Sequence, residues 1–108
     1  MSRYSIEYTL GAQIEIEEVC LWIRERAPKA AEKWRDELIA KVEELSENPL
    51  RHRVAPESQS FSKEIRLLLF RKRRGQFRIY FTIEGQRVVI PTVRRSARKP
   101  LEDEDLTF

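Results

Sequence analysis

Glu64-Ile-Arg-Leu-Leu-Leu-Phe70, then Arg71-Lys-Arg-Arg-Gly75, then Gln76-Phe-Arg-Ile-Tyr-Phe-Thr-Ile83 decide the fold of this 108-residue chain. Two short apolar and aromatic runs flank a basic segment that ends in glycine, the signature of a β-hairpin with strands at 64–70 and 76–83. Glu84-Gly-Gln86 is a second tight turn, and Arg87 to Val93 a further strand. Pro91 has no N–H to give to a ladder, so it marks a bulge, an edge position or a strand end. Three antiparallel strands with one apolar face need a cover, which the rest of the chain must supply.

Upstream the period changes. Residues 50–62 hold Pro56, several serines and no periodicity, and read as a loop. Before them, Ala31, Trp34, Leu38, Val42 and Leu45 recur at three- and four-residue steps, one face of a helix over about 29–47 that Asn48-Pro49 stops. Ala12, Ile16, Val19 and Ile23 form a similar stripe over about 12–26, widened or flanked by Cys20 and Trp22, with Thr9 as its N-cap. Pro28 separates the two helices with almost no linker, so they form a hairpin. Tyr4-Ser-Ile-Glu-Tyr8 alternates and reads as a first strand. The order is β-α-α-β-β-β, an α+β fold with an N-terminal helical hairpin packed on one face of a small, mainly antiparallel sheet. Nothing in the sequence fixes where the first strand pairs. Residues 1–108 make one domain, with 99–108 as an acidic tail.

Charge is unevenly spread. Residues 51–99 hold fourteen Lys/Arg against Glu57, Glu64 and Glu84, whereas the first fifty residues hold seven basic and eleven acidic groups. The last nine residues add Glu102, Asp103, Glu104 and Asp105, so the overall +3 conceals a strongly basic half. Basic residues in strands can gather on one face, suited to phosphates or to an acidic partner. Cys20, the single cysteine, excludes an internal disulfide and reads as a buried inert thiol. There is no CxxC or His/Cys cluster, so no metal site is expected, and no cofactor. No apolar run approaches membrane-spanning length of about 18 residues, and no leader-like apolar segment opens the chain, so the expectation is a cytoplasmic protein without membrane contact.

Several stretches together resemble the RelE/ParE superfamily of bacterial toxins from type II toxin–antitoxin systems. Ala27-Pro-Lys-Ala-Ala-Glu-Lys-Trp34, Leu38 and Lys41-Val-Glu-Glu-Leu-Ser-Glu-Asn-Pro49 look like that family's second helix and its stop. Glu64-Ile-Arg66 looks like its entry into the second strand, Gly75-Gln-Phe-Arg-Ile-Tyr-Phe81 like its third, and Val93-Arg-Arg-Ser-Ala-Arg98 like its closing strand and basic end. The likeness covers roughly residues 4 to 101. It implies a growth-inhibiting toxin neutralised by a cognate antitoxin that covers a basic face. It also implies one of two targets, DNA gyrase for ParE-like members or the ribosome with mRNA for RelE-like members. A homodimer and a toxin–antitoxin hetero-oligomer are both compatible with it. A degenerate member that keeps antitoxin binding without toxicity is a further alternative.

Metal-free RNA cleavage needs activation of the 2′-OH, charge stabilisation at the phosphate and a proton for the leaving oxygen. By the resemblance, Arg78 matches the phosphate-contacting arginine of the nuclease branch, or else an arginine that orders the fold. Arg94 and Arg95 alternate, so one of the two faces a groove, and Arg95 is taken as that one. Glu64 is a candidate base, or a structural partner of Arg66 on the same face. Tyr80 shares a strand face with Arg78 and is a candidate acid/base, or packing. Arg66, Arg71, Lys72, Arg73, Arg74, Arg94 and Arg98 are candidates for RNA or partner contact, against a plain solvated charge. The one histidine, His52, lies in the loop away from these positions. Thr92 and Arg95 stand where many relatives carry His, and no tyrosine follows Arg98, so the nuclease set is incomplete by the best-known pattern.

Overall fold

The computed structural model describes residues 3–72 and 75–96. Its elements are β1 (Ser5–Tyr8), α1 (Leu10–Arg26), α2 (Pro28–Glu43), β2 (Arg66–Lys72), β3 (Gly75–Glu84) and β4 (Arg87–Arg95). Short 3-10 turns lie at Glu44–Ser46, Pro49–Arg51 and Pro56–Ser60.

Thr9 caps α1 as expected: its Oγ1 accepts the amide of Ala12 at 3.1 Å and donates to the carbonyl of Pro91. Pro28 opens α2, where its missing N–H costs nothing. The expected second helix is shorter by a turn. Asn48 adopts a left-handed backbone with φ 48° just before Pro49, and the chain tightens into a 3-10 turn after Glu43. Ala12, Ile16, Cys20 and Ile23 from α1 and Ala31, Trp34, Leu38 and Val42 from α2 are buried against one face of the sheet. Val19, placed on the stripe by its spacing, is only half-buried, and Cys20 takes the core position.

The sheet runs β1-β4-β3-β2, with β1 parallel to β4 and the other pairs antiparallel. Leu68, Phe70, Phe77, Ile79, Phe81, Val88, Ile90 and Val93 point at the helices. Leu38 sits fully buried in that layer. Its truncation to alanine is expected to cost about 2–5 kcal/mol in a urea melt; a near-neutral result would contradict this packing.

Pro91 resolves into a bulge. Thr82 pairs with Val89 and Tyr80 with Thr92, so Ile90 and Pro91 together oppose Phe81. The extra residue reverses the alternation of β4. Val88 and Ile90 face the helices before it, and Val93 faces them after it. Past Tyr8 no strand among the described residues lies beside the β4 edge, and Glu15 of α1 covers it, accepting from the amide of Val93 at 3.1 Å and the hydroxyl of Thr92 at 2.7 Å.

The stretch read as a loop is more ordered than expected. Val54 bridges Arg66, the amide of Ala55 donates to Ile65, and the Ser58 hydroxyl accepts from the Ile65 amide. These bonds hold Ile65 out of the strand, so β2 begins at Arg66 rather than at Glu64. They also fold residues 55–61 over the sheet's other face, where Ala55, Ile65, Leu67 and Tyr80 form a second small core with Phe61 and Leu69.

Candidate functional site

The outer face of the sheet, away from the helices, carries the functional candidates. Register fixes its rows. Leu67, Tyr80 and Thr92 lie abreast, then Leu69, Arg78 and Arg94, then Arg71 and Gln76. Arginine therefore comes from three adjacent strands at one end of this face. The opposite end is different: Arg87 there is paired with Glu7 at 2.6 Å and Glu84 at 3.0 Å.

At the arginine end a cavity of about 340 Å³ is lined by Arg53, Pro56, Glu57, Leu67, Arg78 and Tyr80. Tyr80 donates its phenol proton to Glu57 Oε2 at 2.8 Å, and Arg78 Nη1 lies 3.5 Å from the same phenol oxygen. Burial, and next the hydrogen bond to Glu57, push the Tyr80 phenol above its ordinary pKa, against the opposing pull of Arg78. The phenol stays protonated at neutral pH. It can donate a proton but cannot accept one from a hydroxyl. The arrangement is thus a donor-rich cleft: two guanidinium groups above an apolar floor of Leu67 and Pro56, with one carboxylate engaged by the tyrosine.

The expected site is redistributed. Arg78 and Tyr80 come together as expected. Arg95 does not join them: it shares the row of Phe77 and lies 4.8 Å from the Trp22 ring and 5.1 Å from that of Phe77, on the helix side. Arg94, not Arg95, takes the outward place beside Arg78, and it is almost fully buried there. The bulge at Pro91 is the cause, because it reverses which residues of β4 face outward. Glu64 precedes β2 and lies five residues before Leu69, the partner of Arg78, and its carboxylate pairs with Arg66 at 2.8 Å. Arg66 is an anchor, donating also to the carbonyls of Leu50 and His52. Lys72 turns to the helix side and pairs with Glu37 of α2. Arg71 is exposed on the outer face; Arg73, Arg74 and Arg98 lie outside the described residues.

Glu57 is the residue that sequence reasoning missed. It lies in a polar stretch without periodicity, and only the apolar pair Ala55 and Phe61 on either side hints that the stretch is packed down. His52 stands edge-on to Phe81, 6.0 Å between ring centres. Burial, and then the neighbouring cations Arg51 and Lys41, lower its pKa, so it is held neutral and apart from the cleft. Among the described residues no group of three or more His, Cys, Asp or Glu side chains is placed to hold a metal ion, and no helix is long and apolar enough to cross a membrane.

The architecture recurs in known proteins. The fold is similar to that of a chromosomal ParDE toxin–antitoxin system from P. aeruginosa, with a TM-score of 0.68 over 86% of this chain and 96% of that one at 18% identity. It is also similar to the RelBE2 toxin–antitoxin complex from Mycobacterium tuberculosis, with a TM-score of 0.54 over 91% and 97% of the two chains at 20% identity. No curated protein sequence matches significantly. At such identities the structures establish the fold alone. The sequence itself carries the rest: residues 6–100 match the model of the ParE toxin of the type II toxin–antitoxin system parDE, and the chain belongs to that family.

Proposed function

We propose that this toxin acts by binding, with DNA gyrase as its target, and that an antitoxin neutralises it by covering the arginine end of the outer face. The engaged state of Tyr80 carries this reading. RNA cleavage would require a group beside Arg78 able to take a proton from a 2′-OH. The phenol there is buried, raised in pKa and already donating to Glu57, and that same hydrogen bond occupies Glu57, the one carboxylate in the cleft's lining. Arg53, Arg71 and Arg78 over apolar side chains instead resemble the anchors of a protein interface, where arginine and buried apolar contacts concentrate binding energy. The matching family model is that of a ParE toxin, and gyrase is the target that the ParE-like resemblance implies.

The test is a supercoiling assay with purified gyrase, run beside primer extension on mRNA from cells expressing the toxin. Inhibited supercoiling with intact transcripts is the expected result. Cut transcripts with unimpaired gyrase would overturn the proposal and favour the ribosome-dependent nuclease.

A further inference from the structure

We propose that the acidic stretch at residues 101–108 of this chain docks in cis on the arginine end of the outer face, around Arg78. This rests on the reading above, that a partner covers the arginine end of the outer face, and it names an acidic part of the chain itself as the first to do so.

The placement follows from where the described chain leaves the sheet. Ser96 is held at the end of β4 by Gln76: its amide donates to the Gln76 carbonyl at 2.9 Å, and its hydroxyl accepts from Gln76 Nε2 at 2.9 Å. Gln76 lies opposite Arg71 and two residues from Arg78 on the outer face. The chain therefore exits beside the cleft. Residues 97–108 follow Ser96, and at about 3.4 Å per residue they reach roughly 40 Å when extended. The described body is 39 Å in its longest dimension, so every part of this face lies within range.

The composition of the stretch fits the cleft. Leu101-Glu-Asp-Glu-Asp-Leu106 sets four carboxylates between two leucines. The cleft sets Arg53 and Arg78 beside Leu67 and Pro56, its one carboxylate, Glu57, accepts from the Tyr80 hydroxyl, and Arg71 is exposed nearby. Carboxylates accept in pairs from guanidinium forks, and leucines have an apolar floor to cover. Arg98 and Lys99 would be repelled from that end of the face, which leaves residues 97–100 as a spacer before the first acid. A tether this short holds its end at an effective concentration of about 1 mM, so contacts of only modest strength keep the face occupied. An incoming acidic partner must displace the stretch, and the same screening by salt that weakens the partner's approach loosens the tail.

The test uses the full chain throughout. A fluorescein-labelled peptide with the sequence of residues 100–108 is titrated against the native chain and against the full-length variant E102Q/D103N/E104Q/D105N, at low salt, reading anisotropy. With a peptide dissociation constant of about 0.1 mM and the tether at about 1 mM, the native chain should bind about tenfold more weakly than the neutralised one. Adding Arg78→Gln to the neutralised chain should remove most of the gain, and amide shifts of Arg78 and Tyr80 should differ between native and neutralised chains in solution NMR. Equal affinity of the two chains overturns the docking while leaving the face as an acidic-peptide site. No binding to a neutralised chain that retains its native NMR dispersion overturns both. Neither readout involves gyrase or RNA, so the choice of target stands or falls separately.

Discussion

Truncation of Trp34 to alanine is expected to destabilise the protein by about 3–5 kcal/mol, the largest single loss in the helix–sheet layer. Trp34 is buried, and its ring meets Phe77 edge-on with centroids 5.2 Å apart and Phe70 at 6.1 Å. One side chain of α2 thereby joins the two strands on either side of the hairpin turn. Edge-on aromatic pairs add about 0.5–1.5 kcal/mol beyond area burial. Trp34→Phe should behave differently. The indole N–H has no hydrogen-bond acceptor among the described residues, so the smaller ring gives up area but also removes a buried polar group. Paired urea melts check this: a loss for Trp34→Phe as large as for Trp34→Ala would mean that the N–H is satisfied and matters to the fold.

With gyrase as the proposed target, Arg78→Ala is expected to weaken inhibition of supercoiling about thirtyfold, the scale of about 2 kcal/mol at which an interface arginine counts as an anchor. Transcripts should remain intact with both proteins. Because Arg78 contacts Tyr80, the variant must first show an unchanged thermal melt. In a nuclease the same change would remove a preorganised donor from the transition state, worth about 2.7–4 kcal/mol, or a hundred- to thousandfold in cleavage rate. Primer extension distinguishes the two: a cleavage ladder with wild type that disappears in the variant would assign the arginine to chemistry.

The helices and the hairpin were legible because their signals are local. Ile16, Ile23, Trp34 and Leu38 recur at helical spacing and are all buried. Arg78 and Tyr80 were legible as neighbours for the same reason, being two residues apart on one strand. What was lost depended on pairing. Whether Arg94 or Arg95 faces outward turns on a bulge that exists only in the register between β3 and β4, and Pro91 signalled its place without its consequence. Glu57 reaches Tyr80 across 23 residues of chain, through backbone bonds between Ala55, Ser58 and Ile65 that no periodicity announces. Glu64 illustrates the converse: it looked like strand because its sequence neighbours are strand, yet the packed loop holds that segment back.

The parallel pairing of β1 with β4 has a consequence for synthesis. Ser5 to Tyr8 align with Arg87 to Ile90, so β1 must wait for β4 to be made. β4 is also an interior strand, lying between β1 and β3. A nascent chain can close its helical hairpin early, since that contact is local, but its sheet lacks an interior member until β4 has emerged from the ribosome. The outer face, with Arg94 on that strand, is assembled only then. The group of Arg71, Arg78 and Arg94 is therefore completed only once β4 has been made, and a product terminated before β4 lacks both that group and the strand on which β1 pairs.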